Sequence, residues 1–195
     1  MPGRRPPFWT LKTAQEMSYS LLIAGSGGQG ILFIGKLLAQ AAMLEGKNVT
    51  WFPSYGAEMR GGTANCTVIV SDTHIGSPIV RHADMLIAMN EASLERFGGG
   101  IKKSGFILVD TSMVTLPKSA NGVKAIGVPA GDLAISLNAP VAANMVMAGA
   151  LAAKAALCKK ATLIRALEEL TPKQKLKSLP TNRNAIEKGW ASVSA

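Results

Sequence analysis

Among the residues whose types and spacing suit chemistry, the first group is Gly25-Ser26-Gly27-Gly28-Gln29-Gly30. It satisfies the pattern G-x-G-x-x-G and stands between an apolar run at 20–24 and a helical pattern that opens at Ile31. Glycines let a backbone turn tightly and approach an anion, and a helix N-terminus presents free N–H groups with a partial positive charge. Phosphate contact is the chemistry this arrangement suits. A P-loop is excluded, because Lys36 lies beyond the turn and no G-K-[ST] occurs. A dinucleotide site also uses an acidic residue at the end of the second strand for the ribose. Here that strand runs out into Phe52-Pro53-Ser54-Tyr55, and Glu45 precedes it. Tight strand-to-helix packing without a ligand explains the same glycines, so the residues alone leave both readings open.

The second group is Tyr55-Gly56-Ala57-Glu58-Met59-Arg60-Gly61-Gly62, an acid, a base and adjacent glycines in one connecting segment. Charged residues beside permissive backbone suit a ligand clamp or a subunit contact. An exposed loop with a Glu–Arg pair worth under about 1 kcal/mol fits equally well. Ser77-Pro78, before Ile79 and Val80, predicts the start of a short helix. No catalytic residue is assigned: Ser26 lacks the G-x-S-x-G elbow, and neither His74 nor His82 has a role to fill. Cys66 and Cys158 lie too far apart for a C-x-x-C or zinc-ribbon spacing, and two thiols cannot build a four-thiolate iron–sulfur cluster. No metal site is expected on this chain.

These groups need elements to position them, and the pattern along the chain supplies an alternation of strands and helices, which implies an α/β fold. Residues 20–24 read as a strand, and Ile31, Ile34, Leu37, Leu38, Ala41 and Ala42 recur at helical spacing until Gly46 stops them. Strands are expected at 49–52, broken by Pro53, and at 67–70, 85–89, 106–109 and, more weakly, 123–128, with a helical stretch at 91–97. Residues 133–153 carry no charge, yet their alanines, Asn138, Pro140 and Asn144 read as a buried helix over 140–157, with Asn138 as its cap, rather than a membrane span. Helices at 162–170 and near 184–191 complete the C-terminus.

At 195 residues and 48% hydrophobic content, the chain is long enough for one continuous core. A mean hydropathy of +0.22 with 17% charged residues argues against disorder. The first 17 residues lack the apolar run of a secretory signal and are expected to be a disordered tail ahead of one domain over 18–195. Cytoplasm is the expected compartment. The net charge of +9 sits at the ends, since 18–150 holds nine basic against eight acidic residues. The dispersed lysines after 151 lack interleaved aromatics and read first as solvated helix faces, next as docking for an acidic partner, and last as a nucleic-acid surface.

Four separated stretches carry a resemblance: GSGGQGILFIGKLLAQAA, then VTWFPSYGAEMRGGTANCTVIVSD, then IGSPIV followed by ADMLIAMNEASL, and finally NAPVAANMVMAGAL. Together they look like the gamma subunit, or gamma domain, of 2-oxoacid:ferredoxin oxidoreductases, most similar to the 2-oxoglutarate variety. Ala57 departs from the family pattern, where many relatives carry proline, which concerns loop stiffness rather than chemistry.

The fold this resemblance implies is a Rossmann-like three-layer sandwich around a mostly parallel sheet. The activity it implies is that of a complex converting a 2-oxoacid, coenzyme A and oxidised ferredoxin into acyl-CoA, carbon dioxide and reduced ferredoxin. Thiamine diphosphate with magnesium and the [4Fe–4S] clusters are then expected on alpha, beta and delta partners, with no cofactor held by this chain. Gly27, Gly28, Gln29 and Gly30 are expected to border coenzyme A, and Tyr55, Glu58, Arg60, Gly61 and Gly62 to line the interface toward the thiamine site, Arg60 through a charge-assisted contact. The resemblance leaves open the oxoacid, whether pyruvate, 2-oxoglutarate, a branched-chain acid or indolepyruvate, and the direction of reaction. An isolated chain is expected as a dimer or larger. The rival readings are a free-standing NAD or flavin oxidoreductase and an assembly subunit that binds no small molecule.

Overall fold

The computed structural model describes residues 17–54, 63–119 and 122–194. Among the described residues six strands form one sheet in the order β2-β3-β1-β4-β5-β6. They are β1 (Ser18–Ser26), β2 (Asn48–Ser54), β3 (Thr63–Ser71), β4 (Ala83–Ala88), β5 (Ile101–Asp110) and β6 (Lys124–Val128). β1, β4, β5 and β6 are mutually parallel, with Leu21 opposite Met85 and Leu86 opposite Ile107. β3 runs against both of its neighbours, so β2 points the same way as β1. The sheet is thus mostly parallel, and the chain leaves β1 toward one edge and β4 toward the other. A crevice opens at the carboxyl ends of that pair.

Among the described residues six α-helices flank it: α1 (Ile31–Leu44), α2 (Glu91–Phe97), α3 (Ala130–Ser136), α4 (Ala143–Lys154), α5 (Lys160–Leu170) and α6 (Leu179–Ser192). Alternation along the strands sends Leu21 and Ile23 of β1, with Cys66, Val68 and Val70 of β3, into a large core shared with α1, α4, α5 and α6. The opposite set, including Ala24, Leu86, Ile107 and Val109, packs with Leu94 and Phe97 of α2 in a smaller core on the other face. Helices on both faces make three layers. Every residue of α4 from Met145 to Ala152 is buried, as expected of a central helix apolar on all sides. It meets α6 where Gly149 and Gly189 remove side chains, so that each helix lies against the other's backbone at Ile186 and Val146.

Four expectations are corrected. β2 does not break at Pro53 but continues to Ser54, because it is the edge strand and a missing N–H costs nothing where no neighbour accepts it. No helix follows Ser77-Pro78: 72–82 is irregular, and the Ser77 hydroxyl accepts from the Ile79 N–H at 3.2 Å. Asn138 caps no helix start. It stands at φ +53 just past α3, where its N–H donates to the Ile135 carbonyl and that of Ala139 to Ala134, the left-handed ending of a helix the sequence pattern did not reveal. The buried helix is correspondingly shorter at both ends, with a 3-10 turn at Pro140–Ala142 before α4.

Candidate functional site

β1 ends at Ser26, Gly27 and Gly28 turn, and α1 begins at Ile31, so the glycine motif sits at the mouth of the crevice. Its glycines serve different ends. At Gly25 a Cβ would lie 2.5 Å from Ile31 Cδ1 and 2.6 Å from Gln29 Oε1, so this glycine makes room for the turn's own side chains. Gly30 takes φ +74 and caps α1 with its carbonyl, which accepts from Phe33 and Ile34 at 3.0 and 3.1 Å; a side chain there would strike Asn144 of α4. Gly28, at φ +96, faces open space. The N–H groups of Ile31 and Leu32 open the helix with no helical carbonyl four residues back, and the first turn carries no acidic residue. Such an end attracts an anion.

A cleft of about 380 Å³ lies beside this turn, walled by Gly28 and Gln29, Met89 after β4, Asp110 at the end of β5, Gly131 of α3, and Asn144 of α4. Its rim is apolar: Met113 and Ile135 are each 61% exposed and Val141 is 89% exposed. Asp110 is only 1% exposed, and its Oδ1 accepts from the N–H groups of Ser112, Ala130 and Gly131 at 3.0–3.2 Å. Those three bonds make Asp110 an anchor for α3, and Gly28, Gln29 and Asn144 share the cleft wall with it. A second cleft of about 390 Å³ lies at the amino end of β1, beside Tyr19, Glu45 and Trp190. Its carboxylates are engaged, Glu45 by the Lys159 N–H and the Thr162 hydroxyl, and Asp72 by Lys47.

The structure brings Gly27, Gly28, Gln29 and Gly30 together at the crevice. Tyr55, Glu58, Arg60, Gly61 and Gly62 lie outside the described residues, but β3, which follows them, opens at Thr63 directly opposite Ser26. Burial pushes the thiols of Cys66 and Cys158 up to about 12, so neither offers a thiolate. Among the described residues no three His, Cys, Asp or Glu side chains gather to hold a metal. Sequence reasoning missed Asp110, Asn144 and the rim of Met113, Ile135 and Val141. A carboxylate closing the apolar run 106–109 was the one visible signal, since the others depend on how α3 and α4 fold back.

The sequence matches the family described as "Pyruvate ferredoxin/flavodoxin oxidoreductase" over residues 20–192. It is 45% identical to ketoisovalerate oxidoreductase subunit VorA of Methanothermobacter marburgensis, over 67% of this chain and 27% of that one. It is 36% identical to 2-oxoglutarate synthase subunit KorC of Archaeoglobus fulgidus, over 69% of each. The chain therefore spans about a third or less of the length of the VorA relatives and most of the KorC ones. Among solved structures, the gamma subunit of a keto/oxoacid ferredoxin oxidoreductase from Geobacter sulfurreducens superposes with a TM-score of 0.76 at 26% identity, over 90% of this chain and 98% of that one. The 2-oxoglutarate:ferredoxin oxidoreductase of Magnetococcus marinus, determined with 2-oxoglutarate, coenzyme A and succinyl-CoA bound, superposes at 0.82 and 26% identity, over 90% of this chain and 31% of that one. An α/β sandwich of this topology, matched along nearly its whole described length, places the chain in the pyruvate ferredoxin/flavodoxin oxidoreductase family.

Proposed function

We propose that this chain is the gamma-type subunit of a multi-subunit 2-oxoacid:ferredoxin oxidoreductase, which converts a 2-oxoacid, coenzyme A and oxidised ferredoxin into acyl-CoA, carbon dioxide and reduced ferredoxin. The carrying observation is the match in extent to a free-standing gamma subunit, 98% of whose length this chain covers. Thiamine diphosphate with its magnesium, and the iron–sulfur clusters, belong to alpha, beta and delta partners in this reading. Two buried thiols suit such a division of labour.

The chain's own part is binding and contact. The amides at Gly28 and the start of α1 offer donors to a phosphate of coenzyme A, with Gly27, Gln29 and Gly30 bordering it. The apolar rim of Met113, Ile135 and Val141 suits coverage by a partner subunit. Tyr55, Glu58, Arg60, Gly61 and Gly62 face the thiamine site in this reading, Arg60 as a charge-assisted contact; the pairing of Thr63 with Ser26 beside the glycine turn supports it.

The test is purification of the tagged chain from its own cell, with the eluate assayed for 2-oxoacid-dependent reduction of a low-potential dye with and without coenzyme A. Larger subunits carrying thiamine and iron–sulfur colour, with activity that requires coenzyme A, are expected, and the preferred oxoacid then names the enzyme. A chain that returns alone and inactive overturns the assignment.

A further inference from the structure

Gln29 stands in the middle of the glycine turn, where a side chain is ordinarily taken to reach a ligand. Its carboxamide is instead committed at both ends to the main chain. Oε1 accepts from the N–H of Ser26 at 2.7 Å, and Nε2 donates to the carbonyl of Met89 at 3.2 Å. The partners fix the orientation, because a main-chain N–H needs the oxygen and a main-chain carbonyl needs the NH₂. Ser26 and Met89 lie at the ends of β1 and β4, just past the last paired residues, Ala24 and Ala88, where the two strands part company. A second bridge lies alongside. Asn90 Nδ2 donates to the Ser26 hydroxyl at 2.6 Å while its Oδ1 accepts from Ser93 N–H at 2.8 Å and so caps α2. Gly25 is bare where Gln29 Oε1 packs against it, so the motif's first glycine serves this bridge.

We infer that Gln29 is a positioning residue, a latch that spans the crevice between β1 and β4 and fixes the glycine turn, with Gly28 at the cleft wall, in one geometry. Without it the turn keeps the main-chain bond from the Gln29 N–H to the Ser26 carbonyl at 3.1 Å and the Asn90 bridge to Ser26, but loses its tie to Met89 across left-handed Gly28 and Gly30, whose backbone has the most freedom to move. Preorganised donors bind an anion without first ordering a loop, so losing the latch weakens anion binding although Gln29 itself need not touch the anion. The effect on coenzyme A rests on the placement proposed above; the latch itself does not.

The experiment compares the assembled wild-type complex with Gln29→Met, which keeps the length and removes both hydrogen bonds, and Gln29→Glu, which keeps the acceptor for Ser26 and loses the donor to Met89. Hydrogen exchange of the peptide covering 24–33 reads the latch, and the KM for coenzyme A reads its consequence. The expected result for Gln29→Met is exchange about 5- to 10-fold faster in that peptide, as befits a lost hydrogen bond. The KM for coenzyme A is expected to rise by a similar factor, with the KM for the 2-oxoacid unmoved. Unchanged exchange overturns the latch. Faster exchange with an unchanged KM for coenzyme A upholds the latch and overturns the placement of coenzyme A at the turn. Where Gln29→Met fails to assemble, Gln29→Glu carries the same comparison.

Discussion

Asp84 opens the buried part of β4 and reaches across to β1, its Oδ2 accepting from the N–H and hydroxyl of Ser20 at 2.9 and 2.6 Å and its Oδ1 from Lys102 Nζ at 2.8 Å. Burial works against its charge, but the Lys102 ammonium and the two Ser20 donors outweigh burial and hold the carboxyl below the usual carboxylate range. A carboxyl depressed in the folded chain stabilises it above the unfolded value, near pH 4, and loses that contribution as pH falls through the folded value. Asp84→Asn is therefore expected to lower stability by about 1–3 kcal/mol at neutral pH, with the gap closing below about pH 4. Urea unfolding at pH 7 and pH 3.5 reads this, and equal midpoints at pH 7 refute it. Individual residues show where sequence reading stops. The glycine turn was legible as a motif, yet the partition of its glycines was not, because Gly30 is constrained by Asn144 from a distant helix and Gly25 by the fold of Gln29. Asp110 looks like any polar residue ending a strand until the amides of α3 arrive at its Oδ1.

At the scale of elements, three helices end in one way with three different residues. After α1, α3 and α4, the residues Gly46, Asn138 and Ala156 take left-handed conformations at φ +79, +53 and +47. In each, that residue and the next donate back to the last turn, as Ala156 does to Ala153 and Leu157 to Ala152. Gly46 was readable as a stop because glycine adopts this conformation freely. Asn138 was misread because a proline follows two residues later and invites a start, and α3 itself, AGDLAIS, is too short to show a period. α1 and the buried stretches of the strands were legible because burial imposes its period directly on their sequence, whereas β1, β3 and β5 were read short, their remaining residues being largely exposed or half-buried. Ala156 is the residue least suited to its position. Left-handed backbone costs an L-residue roughly 1–2 kcal/mol, and glycine's greater freedom in the unfolded chain offsets about half of the relief. Ala156→Gly is expected to stabilise the chain by about 0.5–1 kcal/mol, visible as a higher urea midpoint; a lower midpoint would show that the ending is not strained.

At the scale of the whole molecule, one set of exposed apolar side chains gathers at a single place. Met113, Ile135 and Val141 cluster around the cleft beside the glycine turn, where the Asp110 carboxylate is held by the amides of Ser112, Ala130 and Gly131. Val141 is 89% exposed between Pro140 and Ala142, a place where nothing among the described residues rewards an apolar β-branched residue. In the VorA relatives the matched stretch is about a third or less of a longer chain. A rim covered by a partner must exclude water, and an aspartate placed within it would have to shed its hydration without a counter-charge, at a cost of at least about 2 kcal/mol. Val141→Asp is accordingly expected to leave the thermal midpoint of the isolated chain unchanged, because the side chain touches little. Co-purification with partner subunits should meanwhile fall by about 30-fold or more. Intact assembly in that variant would take the rim out of the interface and leave the cleft as a mouth open to solvent and to coenzyme A alone. A lowered midpoint in the isolated chain would instead make Val141 part of this chain's own packing.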